Sequence, residues 1–99
     1  LRLVAKKHNI GGTVVLAICD PEVLGKTLRG PSRAKITVGH SFYGDAEIDA
    51  EDLAEELVGA VSINAIGSKS VEFLLKRGYG SPKSVIMCED VPHLIFMKI

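Results

Sequence analysis

Apolar positions along the chain fall into two rhythms, one of strands and one of helices. Val14-Val15-Leu16-Ala17-Ile18 is apolar at every position, which predicts a central strand covered on both faces. Leu3–Lys7 and Thr13–Cys19 predict two strands linked by His8-Asn9-Ile10-Gly11-Gly12, whose glycine pair supplies the positive φ angles of a tight hairpin. Further strands are predicted at Lys35–Val38, Val61–Ile66, Ser84–Cys88 and Leu94–Ile99. The helical rhythm comes twice. Leu53, Leu57 and Val58 form a narrow apolar stripe, and Val71, Leu74, Leu75 and Gly78 follow the i, i+3, i+4, i+7 spacing of one buried face.

Local signals set the ends of these elements. Asp49 precedes a first turn carrying Glu51 and Asp52, where carboxylates complement the helix dipole, and Ile48 with Leu53 is placed as a hydrophobic staple. The second helix is predicted over Ser68–Arg77, with Lys76 and Arg77 in its last turn and Gly78 as its left-handed terminator. Asp20-Pro21-Glu22 opens a short helical turn with Asp20 as its cap. Gly30-Pro31-Ser32 breaks the chain, and His40–Gly44 reads as a loop or edge segment. The order β-β-β-α-β-α-β-β predicts an α+β fold, a mixed sheet covered by two helices, in one domain over residues 1–99.

Composition narrows the functional classes. The chain has 99 residues, enough for a core that needs no staple, and 46% are hydrophobic. Net charge is zero, which argues against a broad grip on duplex DNA, because that affinity comes from fields of Lys and Arg. The charges are nevertheless unevenly placed. Lys26, Arg29, Arg33 and Lys35 occupy a stretch without acids, and Asp45, Glu47, Asp49, Glu51, Asp52, Glu55 and Glu56 follow in a stretch without bases. A basic edge and an acidic face are expected. The longest apolar run, Val14–Cys19, is about a third of a membrane-spanning length. The start, Leu1–Lys7, is too short and too alternating for a signal peptide. A cytoplasmic chain with two reduced, buried thiols, Cys19 and Cys88, is the expectation.

Candidate chemistry concentrates in few places. Val61–Gly78 reads as strand, small-residue turn and helix, so Gly67, Ser68, Lys69 and Ser70 direct backbone N–H groups, two hydroxyls and a cation beyond the strand. That is half of an anion site, without the glycine-framed loop of a P-loop. The plain alternative makes Gly67 the turn and Ser68 the cap. His93 follows Pro92 and could serve this site as a base or binding group, or simply hydrogen-bond at a strand edge. Arg29, Arg33 and Lys35 could hold an RNA backbone while Phe42 and Tyr43 stack bases; otherwise Phe42 packs inward and the cations serve solubility. No nucleophile elbow, catalytic triad or preorganised metal pair is present, and no cofactor is called for.

Four segments in register carry a family resemblance: Val15-Leu16-Ala17-Ile18-Cys19-Asp20 leading to Leu24-Gly25-Lys26; Phe42-Tyr43-Gly44; Asn64-Ala65-Ile66-Gly67-Ser68-Lys69-Ser70-Val71; and Val91-Pro92-His93. Together they resemble a family of small archaeal proteins known as domain of unknown function 424. The resemblance spans nearly the whole chain. It implies an archaeal, cytoplasmic, single-domain protein with a two-layer α/β sandwich, and it brings no activity and no catalytic residues. The function expected from the residues is a small binding or accessory module, leaning away from enzymes, that contacts RNA or a protein of an RNA-processing or translation assembly. The runner-up is a small-anion or nucleotide site at Gly67–Ser70 with His93. A third reading is a structural subunit whose exposed sheet edge or apolar patch pairs with another chain.

Overall fold

A mixed sheet organises the chain in the computed structural model, which describes residues 1–99. In chain order the elements are β1 (Arg2–Ile10), β2 (Thr13–Cys19), β3 (Thr27–Arg29), β4 (Lys35–Thr37), α1 (His40–Tyr43), β5 (Glu47–Asp49), α2 (Ala50–Gly59), β6 (Ser62–Ile66), α3 (Ser68–Lys76), β7 (Ile86–Cys88) and β8 (Val91–Met97). Six strands form the main sheet in the order β5-β1-β2-β6-β8-β7, and β3 pairs with β4 in a separate hairpin. Only β2 and β6 run parallel. The α+β class, with a mixed sheet and two principal helices, is the fold observed.

Local chemistry accounts for the best-defined pieces. β1 and β2 pair from Val4↔Cys19 to Ile10↔Thr13, and Gly11 and Gly12 both take positive φ, 57° and 86°. Two consecutive positive values are what a two-residue hairpin turn with the right twist requires. Asp49 caps α2 by accepting from the Glu51 N–H at 3.0 Å, a cap worth about 1 kcal/mol. At the end of α3, Gly78 N–H reaches Leu75 C=O and Tyr79 N–H reaches Leu74 C=O, the crossed pair of a Schellman ending with Gly78 at φ 80°.

The sheet buries both faces, unequally. On one face Leu3, Leu16, Ile18, Ile63, Ala65 and Leu94 pack against Ala50, Leu53 and Leu57 of α2 and Val71 and Leu74 of α3. On the other, Val4, Ala17, Cys19, Ile66 and Cys88 lie beneath Val23, Leu28, Val38 and Tyr43, a partial third layer made by the β3–β4 hairpin and α1. β2 is therefore central and covered on both sides where its residues are most apolar. Each fully buried aliphatic side chain contributes about 1.5–3 kcal/mol, so the two layers hold the sheet between them. The third layer stops short of the far half of its face, and Ile86, Ile95 and Met97 stay at least half exposed there.

Three local expectations are corrected. His40–Tyr43 is a single helical turn rather than a loop, because Gly39 C=O accepts from the Tyr43 N–H. Glu47–Asp49 forms an edge strand that pairs with Arg2–Val4. Asp20 stands at the start of the 3-10 turn Pro21–Val23, but its side chain does not cap that turn. It reaches across the sheet instead.

Candidate functional site

β2 and β6 lie side by side and parallel, so the residue after Cys19 meets the residues after Ile66. There Asp20 is 2% exposed and holds the start of α3. Its Oδ2 accepts from Lys69 N–H at 3.0 Å, and its Oδ1 accepts from Ser70 N–H at 2.8 Å and from Ser70 Oγ at 2.7 Å. Asp20 N–H donates in turn to Ile66 C=O at 3.1 Å. A free helix N-terminus presents unpaired N–H groups and a partial positive charge, and a carboxylate answers both. Of the stretch Gly67, Ser68, Lys69 and Ser70, expected to face an anion, Lys69 and Ser70 thus give their N–H groups to the chain's own carboxylate. Ser68 is exposed and gives no capping bond; Gly67 stands at the cap position.

Gly67 is there because nothing larger fits. Its φ of 115° and ψ of 149° lie in a region that side chains avoid, and a Cβ would fall 2.3 Å from Asp20 Cγ. Lys69 Nζ pairs with Glu22 Oε1 at 3.1 Å on the surface above, tying the turn after β2 to the same helix end.

His93 is a neighbour of this junction through the backbone: it pairs with Ile66 across β6 and β8, and Gly67 N–H donates to Pro92 C=O at 2.9 Å. Its side chain turns to the other polar feature of the sheet. Asn64 Oδ1 receives Tyr43 Oη at 2.8 Å and His93 Nε2 at 2.9 Å, and an acceptor at that place selects the Nε2–H tautomer. Burial lowers the His93 pKa from its ordinary value and raises that of Tyr43, with the thiols of Cys19 and Cys88 adding to the latter. Burial first, then the Asp20 and Glu22 carboxylates, push Cys19 up to about 11. Burial also raises Cys88, with Glu89 contributing. Both thiols are free and stay protonated at neutral pH, so neither is an activated nucleophile. Asn64 and Asp20 are the residues that sequence reasoning missed. Their signal was visible: one lone amide inside the apolar run Ile63–Ile66, and one acid immediately after the apolar run Val14–Cys19.

The basic residues occupy the β3–β4 hairpin. Leu28 and Ile36 pair across it and face the core, so Arg29 and Lys35, which also pair directly, face outward, and Arg33 lies at the tip. All three are exposed, as is Lys26. None of the four belongs to an ion pair, whereas Arg2, Lys7, Lys69 and Lys76 each do. The tip backbone is unusual: Ser32 and Arg33 both have positive φ, 60° and 63°, which costs about 1 kcal/mol for each side-chain-bearing residue. Glu89 Oε2 anchors the hairpin by accepting from Arg29 N–H at 2.7 Å. The aromatic partners expected beside these cations are placed otherwise. Tyr43 is 4% exposed with its hydroxyl on Asn64, so its ring offers no face to a base. Phe42 is half-buried and already stacked on His8, with ring centroids 5.0 Å apart.

Glu51, Asp52, Glu55 and Glu56 of the acidic stretch lie on α2 in the opposite layer, so the sheet separates them from the hairpin cations, while Glu47 and Asp49 sit on the edge strand β5. A cleft of about 380 Å³ between the start of α2 and the end of α3 mixes Asp49, Glu51 and Glu72 with Lys76 and Arg77. Its two cations are engaged, Lys76 with Glu72 and Arg77 over the Phe73 ring at 4.2 Å. No group of three or more His, Cys, Asp or Glu side chains comes together as a metal site. No helix is long and apolar enough to cross a membrane.

A family model described as "Protein of unknown function (DUF424)" matches residues 8–99. The chain belongs to the DUF424 family. A solved structure, titled as the crystal structure of an uncharacterized conserved protein from Methanopyrus kandleri, is similar over 100% of this chain and 95% of that one. The TM-score is 0.79 at 24% sequence identity, a likeness of fold. No curated protein matches the sequence. All four segments that carried the resemblance fall within the DUF424 match, and two of them, Val15–Asp20 and Asn64–Val71, are the halves of the Asp20 junction.

Two outcomes follow from this geometry. Gly67→Ala drives a methyl group into Asp20 and Asp20→Ala strands buried donors, so each is expected to lower the unfolding free energy by about 2–4 kcal/mol. Their double variant is expected to lose clearly less than the sum, because removing the carboxylate vacates the space that the methyl needs. Urea denaturation of the four proteins checks this; additive losses would show that the two residues do not share one contact. Second, a histidine whose folded pKa lies below its unfolded value of about 6.5 stabilises the fold fully above that pH and progressively less as pH falls toward the folded value. Stability is therefore expected to fall between neutral pH and the onset of carboxylate titration. In His93→Gln that part of the slope should vanish; an unchanged slope would mean that His93 does not carry it.

Proposed function

We propose that this DUF424 protein is a cytoplasmic binding module whose β3–β4 hairpin contacts the phosphates of RNA, free or within an RNA-processing or translation assembly. The observation that carries this reading is the directly opposed, outward-facing pair Arg29 and Lys35, with Arg33 at the tip and no acidic side chain in an ion pair with any of them. Like charges facing each other across two strands are destabilising. A polyanion laid along the hairpin relieves that repulsion and releases its own counterions. The positive φ values at Ser32 and Arg33 hold the tip in a shape that local preferences disfavour, which fits a segment kept for contact rather than for stability.

Two further points support binding over catalysis and over a free small-anion site. The thiols have raised pKa values, and two N–H groups of the first turn of α3, those of Lys69 and Ser70, are taken by Asp20. With Tyr43 buried and Phe42 stacked on His8, the contact reads the backbone, not the bases. Weak sequence preference and strong salt dependence are the corresponding signature.

Fluorescence anisotropy with a labelled single-stranded RNA over a range of salt concentrations tests the reading. Each phosphate contact adds about 0.7 to the magnitude of the logarithmic salt slope, so replacing Arg29, Arg33 and Lys35 by Ala is expected to reduce the slope by about 2. Binding that is absent at low salt, or a slope untouched by the triple replacement, would overturn it.

A further inference from the structure

The outer edge of β8 is half covered. β7 pairs with it at Val91, Pro92 and His93, and the ladder ends at Ile86↔His93. Leu94, Ile95, Phe96 and Met97 continue the strand with no neighbour on that side. The direction of the free groups follows from the inner ladder. Pro92 C=O accepts from Gly67 N–H and Lys98 N–H donates to Val61 C=O, so the even-numbered residues bond inward, toward β6 and its flanks. Ile95 and Met97 therefore direct their N–H and C=O groups outward, where a further strand would pair.

Exposed strand edges are normally guarded by charge, proline or a bulge. Leu94–Met97 has none of these. It carries apolar side chains instead, with Ile95 54% and Met97 66% exposed. A second uncovered edge, the end of β1 beyond its pairing with β5, is built differently. Lys6, Lys7 and His8 lie along it, and Lys6 Nζ and His8 Nε2 bond to the carbonyls of Ser41 and Phe42 in α1. One edge is charged and partly engaged; the other is bare.

We propose that the bare edge of β8 pairs with the same edge of a second copy of this chain, antiparallel about a twofold axis at Phe96. Charge selects this occupant. Two β1 edges would oppose lysines, whereas two Leu94–Met97 edges bring no charge together. The twofold also closes the assembly, while a β1-to-β8 contact would propagate without end. The axis falls at Phe96, midway between Ile95 and Met97, the two outward-bonding residues of the uncovered half of the strand. Ile95 then faces Met97 of the second copy, and Met97 faces its Ile95. The two outward-bonding pairs exchange four backbone hydrogen bonds and cover the exposed side chains against each other. The contact is small beside the roughly 800 Å² per partner of a standard stable interface, so the dimer forms in a concentration-dependent equilibrium.

Sedimentation equilibrium of the full chain, from low to hundreds of micromolar, is the test. The expected result is a monomer–dimer equilibrium that Met97→Lys and Ile95→Pro each shift to monomer, the proline by removing an outward donor that β6 does not use. Phe96→Cys gives a second readout on an otherwise intact edge. Directly opposed residues of a non-hydrogen-bonded pair have Cα atoms about 4.5 Å apart, within disulfide range, so mild oxidation should yield a covalent dimer. A chain that is monomeric throughout and yields no crosslink would overturn the proposal, and so would a dimer that survives both edge substitutions in folded protein.

Discussion

The contact on which the architecture turns is the grip of Asp20 on the start of α3. A parallel pair of strands at the centre of the sheet leaves β2 and β6 ending side by side, with a helix departing from one of them. The helix brings unpaired N–H groups to that point, and the chain must answer them there. Asp20 does so with three hydrogen bonds from a position that is almost wholly buried. Bonds to a charged group are worth about 1.5–3 kcal/mol each, more than the surface ion pairs of this molecule contribute. The requirement then spreads outward. Gly67 has to be glycine, β6 has to end where β2 ends, and the chain after Asp20 has to leave on the face opposite the helices.

That departure is what builds the third layer and divides the charges. From Pro21 the chain runs over the second face of the sheet through the β3–β4 hairpin and α1, then returns by the edge strand β5 to α2 on the first face. The basic stretch therefore lies on one side of the sheet and the carboxylates of α2 on the other. The Tyr43–Asn64–His93 hydrogen bonds fasten the new layer to two strands at once, and in doing so remove Tyr43 from any outward role. What the layer leaves uncovered is equally consequential: an unguarded half-edge on β8 and the apolar residues beside it.

The parts legible in the sequence are those with several local signals in agreement. The β1–β2 hairpin had its Gly pair, α2 its Asp49 cap and staple, and α3 its apolar face and Gly78 terminator. Three-residue strands such as β3 and β5 carry no periodicity to detect, and their existence rests on pairing partners elsewhere. The turn and helix start at Gly67–Ser70 were legible because backbone geometry is local. The carboxylate that holds them was not, because Asp20 and Ser70 are 50 residues apart and only the parallel strand pairing joins them. The same limit applies to Tyr43: an aromatic beside glycine in a short segment reads equally well as a stacking surface or as a core residue, and its distant partner Asn64 decides which.

A single two-dimensional amide titration tests the central claim, that the helix-end anion site is closed from within and contact is made through the outer layer. The N–H signals of Lys69 and Ser70 should stay fixed when inorganic phosphate is added, because Asp20 holds them. Single-stranded RNA should instead move the signals of Arg29, Arg33 and Lys35. Phosphate-dependent shifts at Lys69 and Ser70, with the hairpin signals unmoved by RNA, would contradict the account and make the end of α3 the binding site.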